Sequence, residues 1–264
     1  MTNDYGNLEL HTVLLSAMKD FHDFCEAHGL RYCLHGGTCL GAIRHKGFIP
    51  WDDDVDIAMP RKDYDRFLKI GPGALGERYT FLTYKTDDTM LTNVTKIRID
   101  VPGMVWAEGT FPFLDIFPMS DVPNSKALQR LQNKLAIFVN NIVYAKIGYI
   151  ELDSLKSKLV FGTLSKLGRR FWGNVLEHLV IKHFPHFRSK YVNIVATANY
   201  CNCTGYAKDL CPKEYFTELE LADFCDTRFY ITRYWDAYLT KIYGDYMIPP
   251  KEDDRSNKHG IEKG

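Results

Sequence analysis

From Leu34 to Met59 the chain reads Leu-His-Gly-Gly-Thr-Cys-Leu-Gly-Ala-Ile-Arg-His-Lys-Gly-Phe-Ile-Pro-Trp-Asp-Asp-Asp-Val-Asp-Ile-Ala-Met. The pattern changes several times within it. Leu30 to Leu34 reads as a short strand, Gly36-Gly37 break it, and Thr38 to Arg44 offer one or two helical turns. After a loop through Gly47, Pro50 and Trp51, Asp54 to Met59 alternates as a second strand. A strand that runs into Gly-Gly and then a helix lets backbone approach a ligand closely. The helix start presents free N–H groups and a positive dipole end, which suit a phosphate, and Thr38 adds a hydroxyl or a cap. A Gly-Gly pair taken alone also marks a simple turn.

The second strand carries the sharper signal. Side chains alternate along a strand, so Asp54 and Asp56 share one face while Val55, Ile57 and Met59 point into a core. Their Cα atoms then lie roughly 6.5–7 Å apart. Two carboxylates on one face repel unless a cation sits between them. Hard divalent ions such as Mg²⁺ take oxygen ligands and leave positions for substrate phosphates. An acidic turn is the competing reading, since Asp52 and Asp53 extend the run, but it leaves the apolar alternation unexplained. Asp115 lies in the apolar strand candidate Phe113 to Phe117, where a carboxylate is costly to bury without a partner. It is the candidate third ligand, with local capping or pairing as the alternative. Three carboxylates beside a phosphate loop suit metal-assisted phosphoryl transfer.

Gly36-Gly37-Thr38, followed by Leu40 through Ile57, closely resembles the LicD family of the nucleotidyltransferase superfamily, which includes the fukutin-related proteins. The resemblance extends through Pro60-Arg61-Lys62-Asp63-Tyr64 and Asp115-Ile116-Phe117-Pro118, and returns at Tyr243-Gly244-Asp245-Tyr246 and Pro249-Pro250. It implies an α+β fold, a nucleotidyltransferase-like small mixed sheet with flanking helices, plus a helical C-terminal part. It also implies a LicD-type transferase using Mg²⁺ or Mn²⁺. Phosphocholine, or a similar phospho-alcohol such as the ribitol phosphate of the fukutin-like relatives, would move from a CDP-linked donor. The acceptor would be a hydroxyl of a cell-surface or lipid-linked glycan, such as lipopolysaccharide or teichoic acid, and CMP would leave. By the same resemblance Gly36, Gly37 and Thr38 match the donor-phosphate loop, Asp54 and Asp56 the metal carboxylates, and Asp115 a third. Eighteen positions separate Gly36 from Asp54, more than is usual in the superfamily, and that added loop is expected to shape the donor or acceptor site.

Arg44, His45 and Lys62 are further candidates for the donor phosphates, with solvated positions as their alternative. Trp51 either walls the loop or stacks on a base. An aromatic cage for choline would draw on Tyr84, Trp106 and Phe111, for which core packing is the safer reading. Two rival functions remain: a true nucleotidyltransferase that releases pyrophosphate, and a non-catalytic glycan- or membrane-binding relative.

Periodicity predicts an N-terminal helix with Leu10, Val13, Leu14, Ala17, Met18, Phe21, Phe24 and Cys25 inward. It also predicts a helix from Tyr64 to Ile70, strands at Val94 to Ile99 and Phe113 to Phe117, and a boundary at Pro118 to Asn124. Residues 128–184 read as mostly helical, and Tyr234 to Tyr243 as a last helix. The expected division is a catalytic core over 1–125 and a helical region over 126–264.

Lys plus Arg and Asp plus Glu each number 33, which excludes a uniformly basic nucleic-acid coat. The balance is a cancellation. Lys126 to Lys190 hold twelve basic and three acidic residues, so this segment carries +9 and the remainder −9. Lys156, Lys158, Lys166, Arg169 and Arg170, accompanied by Leu159, Phe161, Leu164 and Phe171, suggest a basic amphipathic surface over 126–190 for peripheral contact with an anionic membrane or glycan. No apolar run approaches the length of a membrane span. A polar N-terminus and seven cysteines predict a cytoplasmic protein, membrane-associated at most at the inner face. Cys201, Cys203, Cys211 and Cys225 raise a zinc question, but their spacing is not that of common zinc modules.

Overall fold

The computed structural model describes residues 5–104, 106–107, 109–151, 154–198, 206–252, 255 and 261. The chain forms two compact units that interleave along the sequence. One comprises Met1–Phe81, Lys96–Phe117 and Glu214–Gly264; the other comprises Leu82–Thr95 and Pro118–Lys213. The last segment, Glu214–Gly264, belongs to the first unit.

In the first unit α1 (Leu8–His28) buries all eight of the apolar residues its periodicity marks. Gly29 ends it in the left-handed conformation, φ 57°, and returns its N–H to the last turn. β1 (Cys33–Leu34) leads directly into α2 (Gly36–Arg44), and β2 (Val55–Pro60) pairs antiparallel with β1, Leu34 opposite Ile57. Val55, Ile57 and Met59 are buried, as the alternation requires. α3 (Arg61–Ala74), β3 (Tyr79–Leu82), β4 (Thr95–Ile99) and β5 (Phe113–Val122) follow, and the sheet runs β1-β2-β5-β4-β3. The secondary structure is α+β. β5 continues past the expected boundary at Pro118. Proline fixes an extended-compatible φ and biases the preceding residue toward extended backbone, so the strand crosses the proline unbroken.

The second unit holds α4 (Lys126–Lys146), α5 (Leu155–Leu164) and α6 (Arg169–Val175), which runs on into a wider turn over Leu176–Lys182. β6 (Tyr191–Asn193) pairs with the end of β5 at Ser120, Asp121 and Val122. α7 (Tyr206–Asp209) and β7 (Cys211–Pro212) complete the unit. Arg169, expected among the surface cations, is instead only 4% exposed. Its guanidinium donates to Met90 O at 2.6 Å, Thr92 O at 2.7 Å and Asn93 Oδ1 at 3.0 Å. Burial lowers its pKa to about 10, so it stays charged at neutral pH and pins the 90–93 loop to α6. Arg169→Met leaves two buried carbonyls without donors, and a loss of about 3 kcal/mol is expected in urea unfolding. Arg169→Lys is not expected to restore it, because one ammonium does not reproduce the planar fork.

The chain then returns to the first unit. β8 (Leu219–Phe224) and β9 (Thr227–Thr232) form a hairpin closed by Cys225-Asp226. α8 (Trp235–Tyr243) follows and buries Tyr238 and Leu239. Cys225 N–H donates to Lys46 O at 2.7 Å, which ties the hairpin tip to the loop after α2.

Candidate active site

The start of α2 and the start of β2 are held together by backbone. Thr38, expected as a cap or phosphate ligand, lies inside the helix, and its hydroxyl accepts from Asp56 N–H at 2.8 Å. His35 N–H donates to Asp56 O at 2.9 Å. Gly36 adopts φ 48° as the first residue of α2, two positions earlier than the pattern suggested, and its N–H donates to the Tyr238 hydroxyl at 2.9 Å. That hydroxyl also bonds His35 Nδ1 at 2.6 Å. Burial lowers the His35 pKa to about 4, so the ring is neutral and acts as a fixed strut. The N–H of Gly36 and the hydroxyl of Thr38 are thus both engaged within the fold.

The carboxylates converge on this corner. Asp54, Asp56 and Asp115 each offer an oxygen within 4.8 Å of the others, and Asp52, Asp53 and Asp54 form a second such group sharing Asp54. Asp52, Asp53, Asp54 and Asp115 are buried, and Asp56 is half-buried. A divalent ion with ligands at ~2.0–2.1 Å brings opposed oxygens to about 4 Å, so the Asp54–Asp56–Asp115 spacing and its all-oxygen donor set fit Mg²⁺. Gly36 is part of the fit: a Cβ there would lie 2.7 Å from Asp56 Oδ2 and 3.7 Å from the Tyr243 hydroxyl. A Cβ on Gly37 would lie 2.7 Å from Asp52 Oδ2. The glycine pair lets the acidic loop close over the helix start.

Two side chains that the sequence did not single out complete the corner. Lys96 on β4 places Nζ 2.9 Å from Asp115 Oδ2 and 3.4 Å from the Phe113 ring centroid, offsetting part of the acidic charge. Tyr243 keeps part of its ring exposed. Burial, then Asp56 and Asp52, raises its pKa, so the phenol stays protonated. Alternation from Arg98 back to Lys96 was the available signal for the lysine, and the Tyr243-Gly244-Asp245-Tyr246 match was the signal for the tyrosine.

The acidic loop is pinned from outside. His11 Nε2 lies 2.7 Å from Asp52 O, and Asn7 Nδ2 donates to Pro50 O at 3.1 Å. Gly41 lets the loop lie on α2, since a Cβ there would meet Gly47 O at 2.5 Å. Arg44 donates to Tyr246 O at 2.7 Å, and burial lowers its pKa. Burial and then Arg44 lower that of His45. Trp51 packs against Tyr5 and His45, with Arg255 4.9 Å over its ring, so it walls the loop. Lys62 is exposed in the first turn of α3.

The cage candidates separate. Tyr84 lies in the second unit under the Arg169 guanidinium. Trp106 and Phe111 line a cavity of about 730 Å³ in the first. Cys201 and Cys203 lie outside the described residues, and the metal-compatible clusters among the described residues contain only aspartates.

Comparison with known proteins places the chain among recognised relatives. The family described as LicD/FKTN/FKRP, nucleotidyltransferase domain, matches residues 29–139, a range that takes in the glycine pair and all three clustered carboxylates. The lipopolysaccharide cholinephosphotransferase LicD of Haemophilus influenzae is 30% identical over 262 residues, covering 95% of each chain. The ribitol 5-phosphate transferase FKRP of Homo sapiens is 55% identical over 38 residues, 14% of this chain and 8% of that protein. An uncharacterised Rickettsia typhi protein is 42% identical over 59 residues, 22% of this chain and 19% of its own. With its acidic corner built on that stretch and its likeness sustained from end to end, the chain belongs to the LicD family.

Proposed function

We propose that this protein is a metal-dependent phosphotransferase. It moves phosphocholine, or a similar phospho-alcohol, from a CDP-linked donor to a glycan hydroxyl and releases CMP. The observation that carries the reading is the convergence of Asp54, Asp56 and Asp115 on the glycine pair at the start of α2. The near full-length likeness to the Haemophilus influenzae cholinephosphotransferase supports the substrate class.

In this reading the acceptor oxygen forms a bond to the donor phosphorus that bears the alcohol. The bond from that phosphorus to the bridging oxygen breaks, the bridging oxygen leaves with CMP, and the acceptor proton passes to solvent. Asp54, Asp56 and Asp115 hold Mg²⁺ or Mn²⁺. Bound there, the ion supplies positive charge to the transferred phosphoryl group and the departing nucleotide. Lys96 pairs with Asp115 at 2.9 Å and holds that carboxylate in place. Gly36 and Gly37 let Asp56 and Asp52 close over the positive end of α2, which sets the carboxylates where they would meet the donor phosphates through the ion. Arg44 and Lys62 supply positive charge toward the diphosphate, and His45, its pKa lowered by burial and by Arg44, stands beside them as a neutral ring. Arg44 is the best oriented of them, because Tyr246 O fixes its guanidinium.

Purified protein incubated with CDP-choline and a glycan acceptor is expected to release CMP. Chelation by EDTA should reduce the rate about a hundredfold or more, with recovery on adding Mg²⁺ or Mn²⁺. Pyrophosphate release from CTP with no CMP from CDP-linked donors would overturn this reading in favour of nucleotidyl transfer. Full activity in EDTA would overturn the metal assignment alone.

A further inference from the structure

The first half of α4 has its polarity inverted. The inward residues there are Gln129, Gln132 and Ala136, and farther along Asn140 is buried among Val139, Ile142 and Val143; each amide is used. Gln129 donates to Pro123 O at 2.7 Å, Gln132 to Val180 O at 2.8 Å, and Asn140 to Ala198 O at 2.7 Å. The leucines face the other way. Leu128, Leu131, Leu135 and Phe138 are exposed, Leu131 by 48%. At ~100° per residue these four fall within about 80° of arc, so they form one continuous stripe. Core packing explains a helix with amides outside and leucines inside, not this one. Nor is the stripe isolated in its unit. Phe138 meets Phe161 of α5 with ring centroids 5.9 Å apart, and α5 itself exposes Leu155 by 75% and Leu159 by 62%. Apolar surface left outward on this scale marks an interaction face.

Charge identifies the partner. Arg130 and Lys134 are exposed on α4 on one flank of the stripe, and Lys158 and Lys166 are exposed on and just beyond α5. The whole segment from 126 to 190 has three acidic residues against twelve basic ones, and one of those three, Glu177, is buried against Lys182. A second copy docking through the same face would set cation against cation across a symmetric interface, which disfavours self-association. A surface that offers negative charge and an apolar interior beneath it satisfies both halves of the pattern. Among the described residues no helix is long and apolar enough to cross a membrane, so such contact would be peripheral.

We propose that the outward face of α4 and α5 adsorbs to anionic lipid, with the leucines and Phe138 at the acyl boundary and the lysines and Arg130 at the headgroups. The inference uses the second unit only and does not depend on the donor chemistry.

The test is co-sedimentation of the intact protein with phosphatidylcholine vesicles, with and without phosphatidylglycerol, at low and raised salt, with no substrate present. Binding is expected only with phosphatidylglycerol, and weaker at raised salt. Leu131→Gln/Leu135→Gln keeps helix-forming residues at exposed positions and is expected to lower partitioning about tenfold. Arg130→Gln/Lys134→Gln is expected to lower it about tenfold to thirtyfold. Both variants should unfold in urea like the parent. Absence of binding to either vesicle, or equal binding to both, overturns the proposal. So does a concentration-dependent dimer that Leu131→Gln/Leu135→Gln dissociates without any vesicle binding by the parent. Loss of CMP release with vesicle binding intact would count against the catalytic reading alone.

Discussion

Asp56→Asn is expected to reduce CMP release about a thousandfold or more while leaving the fold intact. Asparagine has the same shape, and two hydrogen bonds that fix this position run through the backbone: the N–H to Thr38 Oγ1 and the carbonyl to His35 N–H. Those contacts survive the change. What goes is one of three negative oxygens drawn within 4.8 Å of one another. At an effective dielectric of about 20, two unit charges at that distance repel by about 3 kcal/mol. Lys96 offsets the charge on Asp115 but has no such contact with Asp54. Asp56 therefore adds to a mutual repulsion that a held cation would relieve. Two melting curves follow from this. In EDTA each protein gives its own metal-free melting temperature. With added Mg²⁺ the parent should gain stability and the variant should not. Normal turnover in the variant would sink the metal assignment, and so would an unchanged Mg²⁺-dependent stabilisation.

Where local period and burial agree, the sequence was enough. α1 buries all eight residues its spacing marked, and β2 buries Val55, Ile57 and Met59 while Asp56 stays half-open. The carboxylate set was legible for the same reason. An aspartate inside Phe113 to Phe117 is hard to accommodate without a partner, and its partners were already nominated on the neighbouring strand. The misses share another cause, which is contact between residues far apart in the chain. The β8–β9 hairpin turns on Cys225-Asp226, with Cys225 at φ 53°. That dipeptide is not among the usual Asn-Gly or Asp-Gly signals, and the strained turn is tied down by Lys46 O, about 180 positions earlier. Tyr238 reaches the start of α2 in the same way. Arg169 shows the limit of reading charge by count: three hydrogen-bond acceptors in the 90–93 loop make it an interior strut, and no local pattern distinguishes it from Arg170. The inverted polarity of α4 was hidden for a related reason. Its leucines have ordinary helical spacing, and only the partners of Gln129, Gln132 and Asn140 reveal which side faces in.

Gly36→Ala should separate the shape of the site from its charge. Alanine at this position meets two costs. The backbone stands at φ 48°, a left-handed conformation that costs an L-residue about 1–2 kcal/mol. The new methyl would also lie 2.7 Å from Asp56 Oδ2, so the carboxylate has to move. The two costs can be told apart by Gly29→Ala, at φ 57° with nothing within 4 Å of the added carbon. Gly29→Ala should lower stability by about 1 kcal/mol and leave CMP release unchanged. Gly36→Ala should lose a comparable or larger amount of stability and, in addition, about a hundredfold in rate. Displacing a group that positions reactants by as little as an ångström costs that much. Its Mg²⁺ requirement should also shift to higher concentration, because one of the three ligand oxygens no longer sits where the other two expect it. If Gly36→Ala matched Gly29→Ala in both stability and rate, the glycine would be serving only the turn into α2. The close approach of Asp56 to the helix start would then have no part in holding the metal or the donor.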